Sequence, residues 1–283
     1  MEVFLGIEVT VNLAPTGKLS TESRRFTQIV ADLRYVVFSV IRDRPTAQAG
    51  VVSSVPLGTG FFVRADIFIT CHHVISPALD PHRPGDSYRL IANLTGSSAT
   101  VHTLSNVEVG NNLTMFPNLD LAVLQFNVGA DQPFAAITYD DVQIGDDVGV
   151  VGYPLAVLNC DTSGNLLLEG LIYRAAKGTV TGRFAGTLNA QAPDLPVLEV
   201  NFMFVSGNSG GPVFEAETGR VVGMVQGIRW AKIAEQVAQI STPNVQLPLG
   251  LTPNYVECIH AIYSLGIKLD CFRSALEGLG ITP

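Results

Sequence analysis

The chain has 283 residues, 47% hydrophobic and 15% charged, with a net charge of −8 and a pI of about 5.0. This composition excludes a disordered chain and supplies enough apolar surface for one large or two modest cores. Its few scattered Lys and Arg form no basic stretch able to displace phosphate counterions, so nucleic acid and anionic membranes are not expected partners.

No apolar stretch approaches the ~20 residues of a membrane-spanning helix. Met1 to Val11 lacks the basic start and long apolar block of a secretory leader. Cys71, Cys160, Cys258 and Cys271 lie far apart, so a cytoplasmic chain with reduced thiols is expected.

From Glu2 to Asn12, Val3, Leu5, Ile7, Val9 and Val11 alternate with mostly polar residues, the period of a half-buried strand. Ser20 is positioned as an N-cap, and Phe26, Ile29, Val30 and Leu33 give one amphipathic helical face. This strand and helix make an N-terminal extension, residues 1–34. From Tyr35 to Pro248 short apolar or alternating runs are separated by Gly, Pro, Asn and Asp, the pattern of a sandwich or barrels. A boundary near Gln125 to Pro133 divides the region into 35–130 and 131–248. Trp230 to Ile240 is also helix-permissive. In residues 249–283, Thr252-Pro253 starts a helix with an apolar stripe of Val256, Ile259, Ile262 and Tyr263, and Gly266 stands at its C-cap. Asp270 caps a second helical stretch, Cys271 to Glu277, ended by Gly278.

The stretch Phe204-Val-Ser-Gly-Asn-Ser-Gly-Gly-Pro-Val-Phe214 is a glycine-dense turn centred on Ser209. Glycines allow a tight reversal that aims successive N–H groups into one space, although a serine in such a hairpin is also simply a turn residue. A nucleophilic serine needs a base, usually a histidine held by a carboxylate. His82 and His102 lie in polar, loop-like surroundings and His260 on the outer face of the predicted C-terminal helix. His72 and His73 end the apolar run Ile67-Phe-Ile-Thr70, where successive residues point opposite ways, so at most one serves as base. Asp120, at the mouth of the apolar strand Leu121 to Leu124, is either a solvated strand cap or a semi-buried charge that needs a partner.

Gly58-Thr-Gly-Phe-Phe-Val63, Thr70-Cys-His-His-Val74, Asp120-Leu-Ala-Val-Leu124 and Gly207-Asn-Ser-Gly-Gly-Pro212 resemble, in this order, the four main signatures of trypsin-like (chymotrypsin-fold) serine proteases. The likeness is strongest to bacterial HtrA-type and related trypsin-like peptidase domains, and it spans roughly Val36 to Ile228. It implies a mostly β chain of two six-stranded antiparallel barrels, with the N-terminal strand and helix and the C-terminal helices added. His73 and Asp120 would come from the first barrel and Ser209 from the second. The resemblance implies His73 as base, Asp120 as the group that orients it, Ser209 as nucleophile, and the N–H groups of Gly207 and Ser209 as the oxyanion hole. The pocket floor maps to Met203 and Phe204 and its wall to Gln226, Gly227 and Ile228. These carry no charge, so uncharged, small or medium apolar side chains are expected on the acyl side of the scissile bond.

Asn208 departs from the family's digestive members, whose aspartate there pairs with a freshly cut N-terminus, so that mode of activation is not expected. The residues after Ile228 read mostly as helix, so no PDZ-like module is expected. The predicted partners are a protein or peptide substrate and a regulatory protein. Neither cofactor nor metal is predicted, since Cys71-His72-His73 has no second ligand cluster.

Two other readings compete. The run Gly207-Asn-Ser-Gly-Gly211 also fits an esterase elbow, but only His260 follows the serine and no Asp lies between them. A protease fold that binds peptides without cutting them is the other, and its usual mark is the loss of a triad member.

Overall fold

The computed structural model describes residues 15–47, 52–75, 86–95, 98–104, 112–126, 131–154, 159–160, 166–167, 172–186, 195–202, 207–239 and 254–283. The predicted strand Glu2 to Asn12, His82, Met203, Phe204 and the helix start Thr252-Pro253 lie outside these residues. In chain order the first half holds α1 (Phe26–Leu33), β1 (Val37–Pro45), β2 (Val52–Arg64), β3 (Ile67–Cys71), α2 (His72–Ile75), β4 (Ser87–Thr95), β5 (Ser98–Leu104), β6 (Leu113–Phe116), a 3₁₀ turn (Pro117–Leu119) and β7 (Leu121–Gln125). Its strands form one antiparallel sheet in the order β5-β4-β1-β2-β3-β7-β6. Phe38, Phe62, Phe68 and Phe126 pack edge-on and tilted in its core, with ring centroids 5.2 to 6.4 Å apart. Gly60 admits this packing, because a Cβ there would stand 2.4 Å from the Phe68 ring.

The second half holds β8 (Asp147–Gly152), β9 (Asn159–Cys160), β10 (Leu166–Leu167), β11 (Arg174–Gly186), β12 (Leu195–Val200), β13 (Pro212–Glu215), β14 (Val221–Gln239), β15 (Asn254–Lys268), a 3₁₀ turn (Leu269–Phe272) and α3 (Arg273–Glu277). Six of these strands close a barrel in the order β11-β12-β15-β14-β13-β8, filled by Val148, Val150, Val180, Leu198, Val213, Val222 and Val225. The fold is thus mostly β, with the second six-stranded barrel as expected and the first half a single sheet of seven strands.

The tail corrects the sequence reading. The predicted helix from Thr252 to Gly266 is instead β15, and Trp230 to Gln239 belongs to β14, the two paired from Gly223↔Lys268 to Gln239↔Asn254. Val256, Ile259, Ile262 and Tyr263 are spaced for a helix, yet Val, Ile and Tyr favour the pleated strand once a partner strand is present. Gly266, read as a helix cap, lies opposite Val225, where a Cβ would come 3.1 Å from Val213. His260 is therefore on a strand and not on a helix, and His102 lies in β5 and not in a loop. Arg273–Glu277 is helical and Gly278 follows it, as predicted, but Asp270 sits in the preceding 3₁₀ turn, 2.7 Å from Arg273. Ser20 does not cap α1: its hydroxyl accepts the Glu22 N–H, and the helix begins after Arg25, whose N–H donates to Gln28 Oε1.

Helix α1 and the residues after β15 bind the halves together. Helix α1 leads into β1 but packs on the barrel, with Phe26 stacked on Phe214 at 5.8 Å and the Tyr173 hydroxyl donating to the Val30 carbonyl. After β15, Leu269, Phe272, Leu276 and Ile281 bury into the core of the first sheet, and Arg64 donates to the Leu279 carbonyl.

Candidate active site

His73 and Asp120 meet where β3 and β7 pair side by side, Cys71 opposite Leu121. Directly after β3 the chain makes the single helical turn α2, so His72 and His73 diverge as helical neighbours and not as alternating strand residues. Asp120 ends the 3₁₀ turn before β7 in the left-handed region, φ 50 and ψ 41, the one such non-glycine among the described residues. Aspartate tolerates this conformation better than most side chains. It lets Asp120 receive three hydrogen bonds from the α2 turn. His73 Nδ1 lies 2.7 Å from Oδ2, the His73 N–H donates to Oδ1 at 2.9 Å, and the His72 N–H donates to the Asp120 carbonyl.

Asp120 is 9% exposed. Burial alone would raise its carboxyl, but the bonds and charge of His73 and the Gln226 amide outweigh this and hold it below the usual carboxylate range. An ionised carboxylate only accepts, so His73 Nδ1 carries the proton and Nε2 is left as acceptor. Burial lowers the pKa of His72.

Ser209 sits in a turn closed by the Gly211 N–H to the Asn208 carbonyl, 2.8 Å. Gly207 has φ 97 and Gly210 φ 85, conformations that glycine alone adopts freely. The turn is held against the first sheet. Thr59 donates its N–H to the Ser209 carbonyl at 2.8 Å and its hydroxyl to the Gly207 carbonyl at 2.6 Å. A Cβ on Gly210 would fall 2.1 Å from the Thr59 carbonyl oxygen. The N–H groups of Gly207 and Ser209 have no acceptor among the described residues. The Ser209 hydroxyl donates to the Gln226 carbonyl at 3.2 Å, and among the described residues it makes no hydrogen bond to His73.

Of the expected pocket wall, Gln226 also contacts Asp120. It occupies a bulge in β14, between the pairs Val225↔Gly266 and Gly227↔Leu265. The extra residue re-aims its side chain, and its amide Nε2 donates to Asp120 Oδ2. Gly227 and Ile228 continue β14 opposite Leu265 and Ser264. The sequence reading left Thr59 unassigned, and it placed Gln226 in the pocket wall with no bond to Asp120. Thr59 had one signal, its place between Gly58 and Gly60 in the first motif. Gln226 had none, because its role depends on the bulge.

Ligand atoms of Cys71, His73 and Asp120 lie within 4.8 Å of one another, a juxtaposition absent from the linear sequence. Each is already engaged. His73 and Asp120 bond each other, and Cys71 donates to the Val225 carbonyl while burial, then the Asp120 charge, pushes its thiol pKa well up.

A serine turn beside a closed six-stranded barrel, tied through Thr59 to an antiparallel sheet that carries a His–Asp pair, is the architecture of the trypsin-like class. A family model described as "Trypsin-like peptidase domain" matches residues 58–224, more than half of the chain, and the chain belongs to that family. Among solved structures the fold resembles the HtrA-type protease AlgW with a tripeptide, TM-score 0.56 at 14% identity, covering 90% of this chain and 64% of that one. It also resembles AlgW with a decapeptide, TM-score 0.57 at 12% identity, covering 90% of this chain and 67% of that one. An inactive form of Rv3671c from M. tuberculosis H37Rv aligns at TM-score 0.49 and 19% identity, covering 90% and 91% of the two chains. This chain thus spans 64% of the length of the first AlgW structure. No protein in the curated set matches it.

Proposed function

We propose that this chain is a serine endopeptidase that works through an acyl-enzyme, with Ser209 as nucleophile, His73 as base and Asp120 as the group that orients the base. The observation that carries this reading is the double grip of Asp120 on His73, one bond to the ring and one to the backbone. Ser209 Oγ forms the new C–O bond as its proton passes to His73 Nε2, and the carbonyl oxygen becomes an anion facing the N–H groups of Gly207 and Ser209. Such donors are each worth about 3 kcal/mol in comparable sites. Collapse breaks the C–N bond, His73 returns the proton to the leaving amine, and water repeats the sequence on the ester.

Before attack the Ser209 hydroxyl must leave the Gln226 carbonyl for His73. This resting bond supports a site gated by a regulatory partner or by a restricted substrate, and it is also what favours the non-cutting, peptide-binding reading. Because the Gln226 side chain is committed to Asp120, the acyl-side pocket takes its wall from main chain and from Gly227, which suits uncharged, small or medium apolar residues. The free thiols of Cys71 and Cys271 suit the proposed cytoplasmic setting. Incubation with an unfolded protein, with and without cell extract and against Ser209→Ala, tests the reading. Cleavage that needs extract and Ser209 supports it. Unrestricted cleavage by the purified chain overturns the gating, and no cleavage under either condition overturns the peptidase.

A further inference from the structure

The proposed mechanism makes no use of the Cys71 thiol, which is fully buried at the end of β3 beside the His73–Asp120 pair. Its sulfur donates to the Val225 carbonyl at 3.2 Å and lies 3.8 Å from Gln226 Oε1. One ligand atom each from Cys71, His73 and Asp120 fall within 4.8 Å of one another, and His73 Nδ1 is 2.7 Å from Asp120 Oδ2. A thiolate, an imidazole and a carboxylate are donors that zinc and its neighbours accept, with sulfur at about 2.3 Å and nitrogen or oxygen at about 2.0 to 2.2 Å. Donors around one such tetrahedral ion stand roughly 3.2 to 3.8 Å apart, so these three side chains close on it with shifts of about 1 Å. Gln226 Oε1 is near enough to the sulfur to serve as a fourth donor once the ion takes the carboxylate that the Gln226 amide now holds. Magnesium and calcium prefer oxygen donors and do not suit a site built on sulfur. The side chain of His73 is 33% exposed and that of Asp120 12%, so the way in passes His73.

We propose that Cys71, His73 and Asp120 form an inhibitory site for a thiophilic divalent cation of the zinc class. None of the three donors is spare, so the ion displaces bonds that the site needs. The Cys71 S–H bond breaks and its proton leaves to solvent. The thiolate, Asp120 Oδ2 and His73 Nδ1 each give an electron pair to the ion, and the Nδ1 proton moves to Nε2. A ring protonated on Nε2 has no lone pair there to accept the Ser209 proton. The resting pair carries one negative charge and the ion two positive ones, so with the thiol proton gone the cluster is neutral, as a mostly buried place favours. Burial, then the Asp120 charge, make the thiol proton hard to remove, so binding is reversible and a chelator restores the free pair. The inhibition rests on the proposed role of His73, whereas the ion binding does not.

The test separates the two. Co²⁺, which replaces zinc in tetrahedral sites and absorbs light, is titrated into the Ser209→Ala chain. An intense near-ultraviolet thiolate-to-cobalt band is expected, saturating at a single ion per chain and abolished by Zn²⁺. The band should vanish in Cys71→Ser. His73→Ala, altered at the partly exposed donor, should need ~10-fold or more Co²⁺ for half saturation, and it keeps the test decisive where Cys71→Ser does not fold. Chemistry is read with Ser209 intact. Zn²⁺ should block fluorophosphonate labelling, EDTA should restore it, and Mg²⁺ at the same concentration should leave it unchanged. Cys71→Ser should need ~10-fold more Zn²⁺ to lose half of its own labelling. No thiolate band, a band that persists in Cys71→Ser, or an undiminished affinity in His73→Ala overturns the inference. So does equal Zn²⁺ sensitivity with and without the thiol, which would place the ion on Nε2 alone. A chain that never labels yet shows the band in Ser209→Ala would overturn the peptidase reading and uphold the ion site.

Discussion

At the scale of single residues, the site turns on how Asp120 is held. Its depressed folded pKa means that ionised Asp120 stabilises the fold fully above the ~3.9 of an unfolded aspartate, and that this stability is lost as pH falls through the lower folded value. Urea unfolding at pH 7, 4, 3 and 2 should therefore show a smaller loss in Asp120→Asn than in the unmutated chain, and equal losses would contradict the assignment. Gln226 is the second residue-scale claim. Removing its amide in Gln226→Leu leaves Asp120 with one donor fewer, so turnover should fall ~10-fold with little change in KM. A KM change alone would return Gln226 to the pocket wall. The His73–Asp120 partnership was legible through the family resemblance, because strand-end position alone left open both the choice between His72 and His73 and whether Asp120 is a solvated cap. The Gln226 contact was not, because it depends on one extra residue in β14.

At the scale of elements, the serine turn is built by close approach between two sheets. Gly210 fills the narrowest point, with φ 85 and a Cβ direction that runs into the Thr59 carbonyl and the Thr70 hydroxyl. Gly210→Ala should cost roughly 3 kcal/mol or more in urea unfolding, from overpacking and left-handed strain together. A loss below ~0.5 kcal/mol would show that the turn is not seated as described. Gly207 and Gly210 of this turn were legible, because each adopts a positive φ. Strands with β-branched, alternating or continuous apolar runs, such as β3, β7 and β8, were legible for the same local reason. The tail was not. Val256, Ile259, Ile262 and Tyr263 satisfy a helical period, and only their pairing with β14, most distant in sequence at the barrel end, decides for strand.

At the scale of the whole molecule, Ser209 and His73 come from different halves. The site exists because Thr59 and Cys71 of the first sheet bond the Gly207 and Val225 carbonyls of the barrel, while α1 and the C-terminal turns clasp the halves from outside. Family membership rests on the match over residues 58–224, whereas the proposed catalysis depends on the Ser209 hydroxyl leaving Gln226 for His73. A fluorophosphonate probe reports that step directly, because it bonds only to a serine whose proton can be taken. Labelling is expected at Ser209 in the unmutated chain and in His72→Ala, and its loss is expected in Ser209→Ala and His73→Ala. Labelling that persists in His73→Ala, or that never occurs in the unmutated chain with or without cell extract, would contradict the account.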